Sequence, residues 1–193
     1  MRRWMVCCVL VLAGCGQVTP GEPAEVVRGP DGRFPPPIPN PSLSYDKYLT
    51  RPCELLSREQ LMSIGIITDL GRPGEHPLLG PECRWTADRV ADTGFSVLLM
   101  SKGDGLRPAY KSRNFGYFAE TTIGGYPALN TDNKTPTGKP TPVGTCDTAV
   151  GIGDSVAFTV AAHGHKPHPD YEEPCKASDK VALWVLEKLK AGS

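Results

Sequence analysis

No apolar run in this chain reaches the roughly twenty residues that a helix needs to cross a bilayer. The longest, Trp4 to Ala13, has about half that length. Basic residues do not cluster either. The 21 Lys and Arg balance 21 Asp and Glu, which gives nucleic acid no electrostatic footprint. Cys-x-x-Cys is missing, so a zinc ribbon and a thioredoxin-like redox pair are both excluded. No Ser lies in a Gly-x-Ser-x-Gly elbow, and no Gly-Lys-Ser/Thr follows the glycines at 151 and 153. A hydrolase nucleophile elbow and a phosphate loop are excluded with them. No pair of carboxylates has a spacing that argues general acid–base work. The chain predicts neither an enzyme nor a bound cofactor.

What it does have begins at the N-terminus. Arg2 and Arg3 precede the apolar run, and Leu12-Ala13-Gly14-Cys15 closes it. A positive start, a short apolar middle and small residues before a break are the signature of a signal peptide. The four closing residues resemble the lipobox of bacterial lipoproteins. Ala13 and Gly14 are small enough for a peptidase to fit the extended backbone before the cut. The resemblance implies that Cys15 carries a diacylglyceryl thioether and becomes the first residue of the mature protein. Residues 1–14 are then a lipoprotein signal peptide. Their removal leaves 19 basic residues against 21 acidic ones.

Residues 15–44 read as the lipidated Cys and a tether. Pro stands at positions 20, 23, 30, 35, 36, 37, 39 and 41, among scattered apolar residues. Such composition favours extended polyproline II and acts as a semi-rigid spacer, up to about 90 Å for roughly 30 residues at ~3.1 Å each. A single domain is expected over residues 45–193.

Within it, Ser57 and Gln60 form a capping-box pattern that predicts a short helix from Ser57 to Ile64. Gly71 to Gly80, rich in Pro and Gly, reads as a loop. Strands are expected at Glu82 to Thr86, with Cys83 and Trp85 on one face, and at Thr93 to Ser101. Pro108 can start a short helix through Arg113. A third strand spans Tyr117 to Ile123, and Gly124-Gly125 turns it into Tyr126 to Leu129. Thr131 to Thr145 is a polar loop whose Thr and Pro suit O-glycosylation; the N-glycosylation pattern Asn133-Lys134-Thr135 within it has little meaning in a bacterial protein.

The clearest hairpin follows. Cys146 to Ile152 and Ser155 to Ala162 alternate in hydropathy, and Gly153-Asp154 between them suits a type II′ turn. After a polar loop from His163 to Pro174, Ala177, Val181, Trp184, Val185 and Leu189 recur at helical spacing. Glu172-Glu173 favours the start of that helix through its dipole. The pattern predicts an α+β fold. An antiparallel sheet carries an N-terminal short helix and a C-terminal helix packed on one face, with two disulfides.

One constellation bears on metals. His163, His165 and His168 stand within six residues, with Asp170, Glu172 or Glu173 as oxygen donors, a set able to bind Zn²⁺ or Cu²⁺. Lys166 in their midst repels a cation, and Gly164 and Pro167 make the segment a solvated loop on the preferred reading. A metal-binding or metal-dependent enzyme using these histidines is the alternative.

Arg51-Pro52-Cys53-Glu54-Leu55-Leu56, Cys83-Arg84-Trp85, Gly125-Tyr126-Pro127-Ala128, Cys146 entering a strand and Glu173-Pro174-Cys175 opening the last helix occur in that order. Together with the lipobox they resemble family 3558 of the domains of unknown function, found in actinobacterial lipoproteins. The resemblance runs from about Tyr45 to Leu189. It implies export and lipid anchoring, and it supplies no activity and no catalytic residues. The Thr131–Thr145 segment is bulkier than the usual connection of that family.

The expected protein is thus a non-enzymatic binding or accessory module of the cell envelope, anchored at the extracytoplasmic face of the membrane. Its partners are the membrane, through the lipid on Cys15, and an envelope lipid, glycan or protein. The sheet face opposite the helices, with Trp85 and Tyr126, is the expected ligand surface. Of seven Cys, Cys7 and Cys8 leave with the signal and Cys15 is lipidated. An even remainder in an exported domain favours disulfides. Cys53, Cys83, Cys146 and Cys175 allow three connectivities, among which spacing does not choose. Element order favours Cys53–Cys83, across one loop between the first helix and the next strand. It likewise favours Cys146–Cys175, because the hairpin returns the chain near Cys146.

Overall fold

In the computed structural model, residues 34–38, 41–88, 93–112, 115–134 and 142–192 are described. The signal peptide, Cys15, most of the tether and Thr135 of the glycosylation pattern lie outside them. So do residues 135–141 of the Thr/Pro-rich loop.

The chain docks early. Leu43 is buried, and its N–H donates to the Ile152 carbonyl at 2.8 Å. Short 3-10 turns at Asp46–Tyr48 and Pro52–Leu55 lead to helix α1, Arg58–Ser63. The capping box is present. Gln60 N–H donates to the Ser57 hydroxyl, and Ser57 N–H donates to the Gln60 side chain.

The segment expected as a loop at 71–80 contains a strand, β1, Arg72–His76. Pro73 and Gly74 hide it in the sequence. Pro73 is tolerated because β1 is an edge strand, where a missing N–H need not break a ladder. Next come β2 (Gly80–Thr86) and β3 (Gly94–Leu99). Helix α2 (Arg107–Lys111) precedes β4 (Tyr117–Ile123). Then β5 (Tyr126–Asp132) runs three residues past the expected end. The hairpin is β6 (Thr145–Gly153) and β7 (Val156–His163). Its turn falls on Asp154-Ser155 instead of Gly153-Asp154, since a bulge between Gly151 and Gly153 shifts the register and pairs Gly153 with Val156. A 3-10 turn at Pro169–Tyr171 interrupts the expected loop before helix α3, Pro174–Lys190.

The seven strands among the described residues form one antiparallel sheet in the order β1-β2-β3-β7-β6-β5-β4. After β3 the chain crosses to the far edge, and β4 to β7 return to the middle beside β3.

One face carries the main core. Val181, Ala182, Val185, Leu186 and Leu189 of α3 are almost completely buried, in one core with Val150, Ile152, Phe158 and Val160 of the sheet. Each buried Val or Leu contributes about 1.5–3 kcal/mol. Leu55, Leu56, Leu61 and Ile66 of the N-terminal turns join the same core with Trp85, Phe95 and Val97. The expected α+β arrangement is thus the observed one. Among the described residues no helix is long and apolar enough to cross a membrane.

Two disulfides tie these layers, and both are the expected pairs. Cys53 joins Cys83 and Cys146 joins Cys175, with Cα separations of 5.1 and 5.0 Å. Beside the second, the buried Thr148 hydroxyl lies 2.7 Å from Ser178 Oγ and donates to Asp179 Oδ1 at 2.7 Å. These bonds fix the first turns of α3 on β6. Glu173 stands at the N-cap of α3, where its carboxylate holds Lys176.

Candidate functional site

Strand register places one row of side chains across the sheet. Arg72 lies opposite Arg84, Arg84 opposite Ser96, Ser96 opposite Ala161, Ala161 opposite Asp147, and Asp147 opposite Thr131. Directly opposed residues share a face. Their strand neighbours Cys83, Trp85, Phe95, Val97 and Ala162 belong to the helix-side core, so this row looks the other way.

That second face is half covered. Leu106, the N-cap of α2, and Tyr110 within it pack with Leu129, Ala149 and Ala157 beside the hairpin end of the sheet. Toward the opposite end lies an open concavity of about 390 Å³, lined by Arg72, Arg84, Thr86, Thr93, Ser96 and His163. Its floor is low because Gly94 has no side chain; a Cβ there would fall 2.0 Å from the Trp85 carbonyl oxygen.

The walls are basic. Arg84 pairs with the buried Glu82 at 2.6 Å. Arg72 donates to the Thr86 hydroxyl and lies 3.7 Å from Asp69. The Asp69 carboxylate accepts the backbone N–H groups of Gly71 and Thr86, each at 2.8 Å. Burial first, and then the charges of Lys134, Arg84 and His165, hold the pKa of His163 below its usual value. Its imidazole is therefore neutral at pH 7. Farther along the row, burial and then the charge of Asp132 push the Asp147 carboxyl up to about 6.

The chain enters at the other end of the strands. Besides the Leu43–Ile152 bond, the Tyr126 hydroxyl donates to the Pro41 carbonyl at 2.8 Å. From that end β7 runs eight residues, Val156 to His163, roughly 20 Å at the usual strand rise.

Two sequence expectations about this face are corrected. Trp85 is 2% exposed and Tyr126 5%, and both lie in the helix-side core. Trp85 shares the parity of Cys83, and the Cys53–Cys83 bridge fixes that parity toward the N-terminal turns. The same alternation sends Arg84, between them in the sequence, to the open face. Its position was thus readable from Cys83-Arg84-Trp85, whereas Arg72 lay concealed in the apparent loop.

The three histidines do not converge. β7 continues through His163 and lays its ring against the concavity, so the expected loop starts later. His165 N–H donates to Thr93 Oγ1 at 3.0 Å. His168 caps the Pro169–Tyr171 turn, its Nδ1 accepting from Asp170 N–H at 3.3 Å. It faces a smaller hollow of about 280 Å³ on the helix side, with Ser63, Gly65 and Lys180. Among the described residues no three His, Cys, Asp or Glu side chains are grouped to hold a metal ion.

These features define a class: a disulfide-bonded α+β domain built on one seven-stranded antiparallel sheet, with a basic hollow on its exposed face. The family model described as "Protein of unknown function (DUF3558)" matches residues 10–188, and the chain belongs to that family. No curated protein and no solved structure matches it.

Proposed function

We propose that the chain is a lipid-anchored, extracytoplasmic, non-enzymatic binding module of the cell envelope, and that its ligand enters the concavity between Arg84 and His163. The concavity is the observation that carries this reading. It is large enough for a small ligand or a headgroup, and its few polar groups are held on strands, which are rigid supports. The lipobox at Cys15 and the Pro-rich segment after it support the anchor. The docked chain starts at one end of the sheet and the concavity lies toward the other, so a membrane tether would present the site away from the bilayer.

Two measurements test the reading. Detergent partition of wild type and Cys15→Ala tests the anchor, and the variant is expected to leave the detergent phase. Native mass spectrometry of the mature protein purified from envelope membranes tests the site. A non-covalent ligand is expected on the wild type and not on Ser96→Trp, which fills the floor. Equal partition would refute the anchor, and equal ligand retention would refute the site.

A further inference from the structure

We infer that the concavity recognises an oxyanion, a phosphate or a carboxylate carried by a ligand of about monosaccharide size, through the paired guanidinium groups of Arg72 and Arg84. This rests on the reading of the concavity as a ligand site and adds the chemistry of what fills it.

Arg72 and Arg84 are directly opposed on antiparallel strands, where like charges oppose pairing. Both side chains are well exposed, 71% and 64%, so no demand of the core places two cations there. An anion seated between them removes the repulsion. Guanidinium forks match phosphate and carboxylate oxygens two at a time, with a planar geometry that a lysine would not provide.

Asp69 has both oxygens on backbone N–H groups, and its distance to Arg72 is 3.7 Å. Glu82 holds Arg84 at Nη2 and is itself buried. A guanidinium has five N–H donors. Glu82 therefore orients the Arg84 fork while leaving donor capacity for a ligand. The Thr86 hydroxyl likewise steadies Arg72.

The rest of the lining fits the same chemistry. The hydroxyl of Ser96 supplies a donor at the floor, and the His163 imidazole supplies another at the wall. Facing that ring are the positive charges of Arg84 and Lys134, together with His165. A bound anion would offset them and favour the protonated ring.

The test is an NMR titration of the mature chain with glucose 1-phosphate, glucuronate, inorganic phosphate and neutral glucose. The two sugar anions are expected to shift the Ser96, Thr86 and His163 amides to saturation, and glucose is not. Arg72→Gln and Arg84→Gln should each weaken binding about tenfold, and the wild-type His163 pKa should rise on binding. Arg51→Gln, on the helix side of the chain, should change nothing. Saturation by inorganic phosphate also supports the oxyanion and shows that the carrier adds little. Shifts at Ser96 with glucose alone, or anion binding unchanged in both arginine variants, would overturn the inference. So would the absence of any shift at millimolar anion. Retention of a native ligand by wild type and its loss from Ser96→Trp would still uphold the site itself, so the two claims fail separately.

Discussion

Arg72 and Arg84 face each other across the first two strands of the sheet, two like charges at a directly opposed position. Such a pair disfavours pairing by about 0.2–1 kcal/mol. Arg84 also lowers the pKa of His163. Arg84→Gln should therefore raise the His163 pKa toward its ordinary value in the unliganded protein, as followed by NMR titration of the ring. An unchanged value would place Arg84 outside the electrostatic reach of the concavity.

Gly71 is held tightly behind this pair. Its φ is +92°, and a Cβ would lie 2.5 Å from Trp85 Nε1 and 2.7 Å from Cys83 Sγ. Gly71→Ala combines backbone strain with overpacking, about 3 kcal/mol in total. That corresponds to a fall of about 10 °C in Tm for a domain of this size. Gly65 also has positive φ, +80°, but its Cβ would meet nothing within 4 Å. Gly65→Ala should cost only about 1 kcal/mol. Similar losses at both sites would contradict the packing behind β1.

The disulfides close loops of 30 and 29 residues, each worth about 3–4 kcal/mol in the chain-entropy account. Non-reducing peptide maps should contain Cys53–Cys83 and Cys146–Cys175 peptides. Reduction should lower Tm sharply, because the two together approach the net stability of about 5–15 kcal/mol of a typical domain. A Cys53–Cys146 or Cys53–Cys175 peptide would contradict the fold.

Much of this frame was legible in the sequence, and the reasons are local. The capping box at Ser57, the alternation through β7 and the helical spacing from Ala177 to Leu189 each point to one structure. Element order then suggested which cysteines meet. β1 was not legible, because Pro73 and Gly74 erase the strand pattern and only pairing with β2 forms it. The covering of half the open face by α2 also depends on a long-range crossover. For the site, Arg84 was legible from its parity, since alternation with Cys83 and Trp85 sends it to the open face. Its partnership with Arg72, Ser96 and His163 exists only once register sets four strands side by side.

Asp147 gives a pH signature. Its folded pKa, about 6, exceeds the ordinary aspartate value of 3.8, so its protonated form is favoured by folding. The stabilising contribution is complete below about pH 4 and is lost as pH rises through 6. Asp147→Asn should thus match wild type near pH 4 and exceed it at pH 7.5 by about 1–2 kcal/mol, after allowance for partial solvent screening. Thermal melts at both pH values check this. A variant less stable than wild type at pH 7.5 would show that the charged carboxylate has a stabilising partner.

The central claim, that the exposed face beside β1 and β2 is occupied by a ligand in the envelope, is most directly tested by arginine footprinting. Arg51, Arg72 and Arg84 have similar side-chain exposures of 61%, 71% and 64%, so phenylglyoxal should modify all three at comparable rates in ligand-stripped protein. In intact envelope membranes, Arg72 and Arg84 should be protected while Arg51 reacts as before. Equal labelling of all three in the membranes would contradict the account.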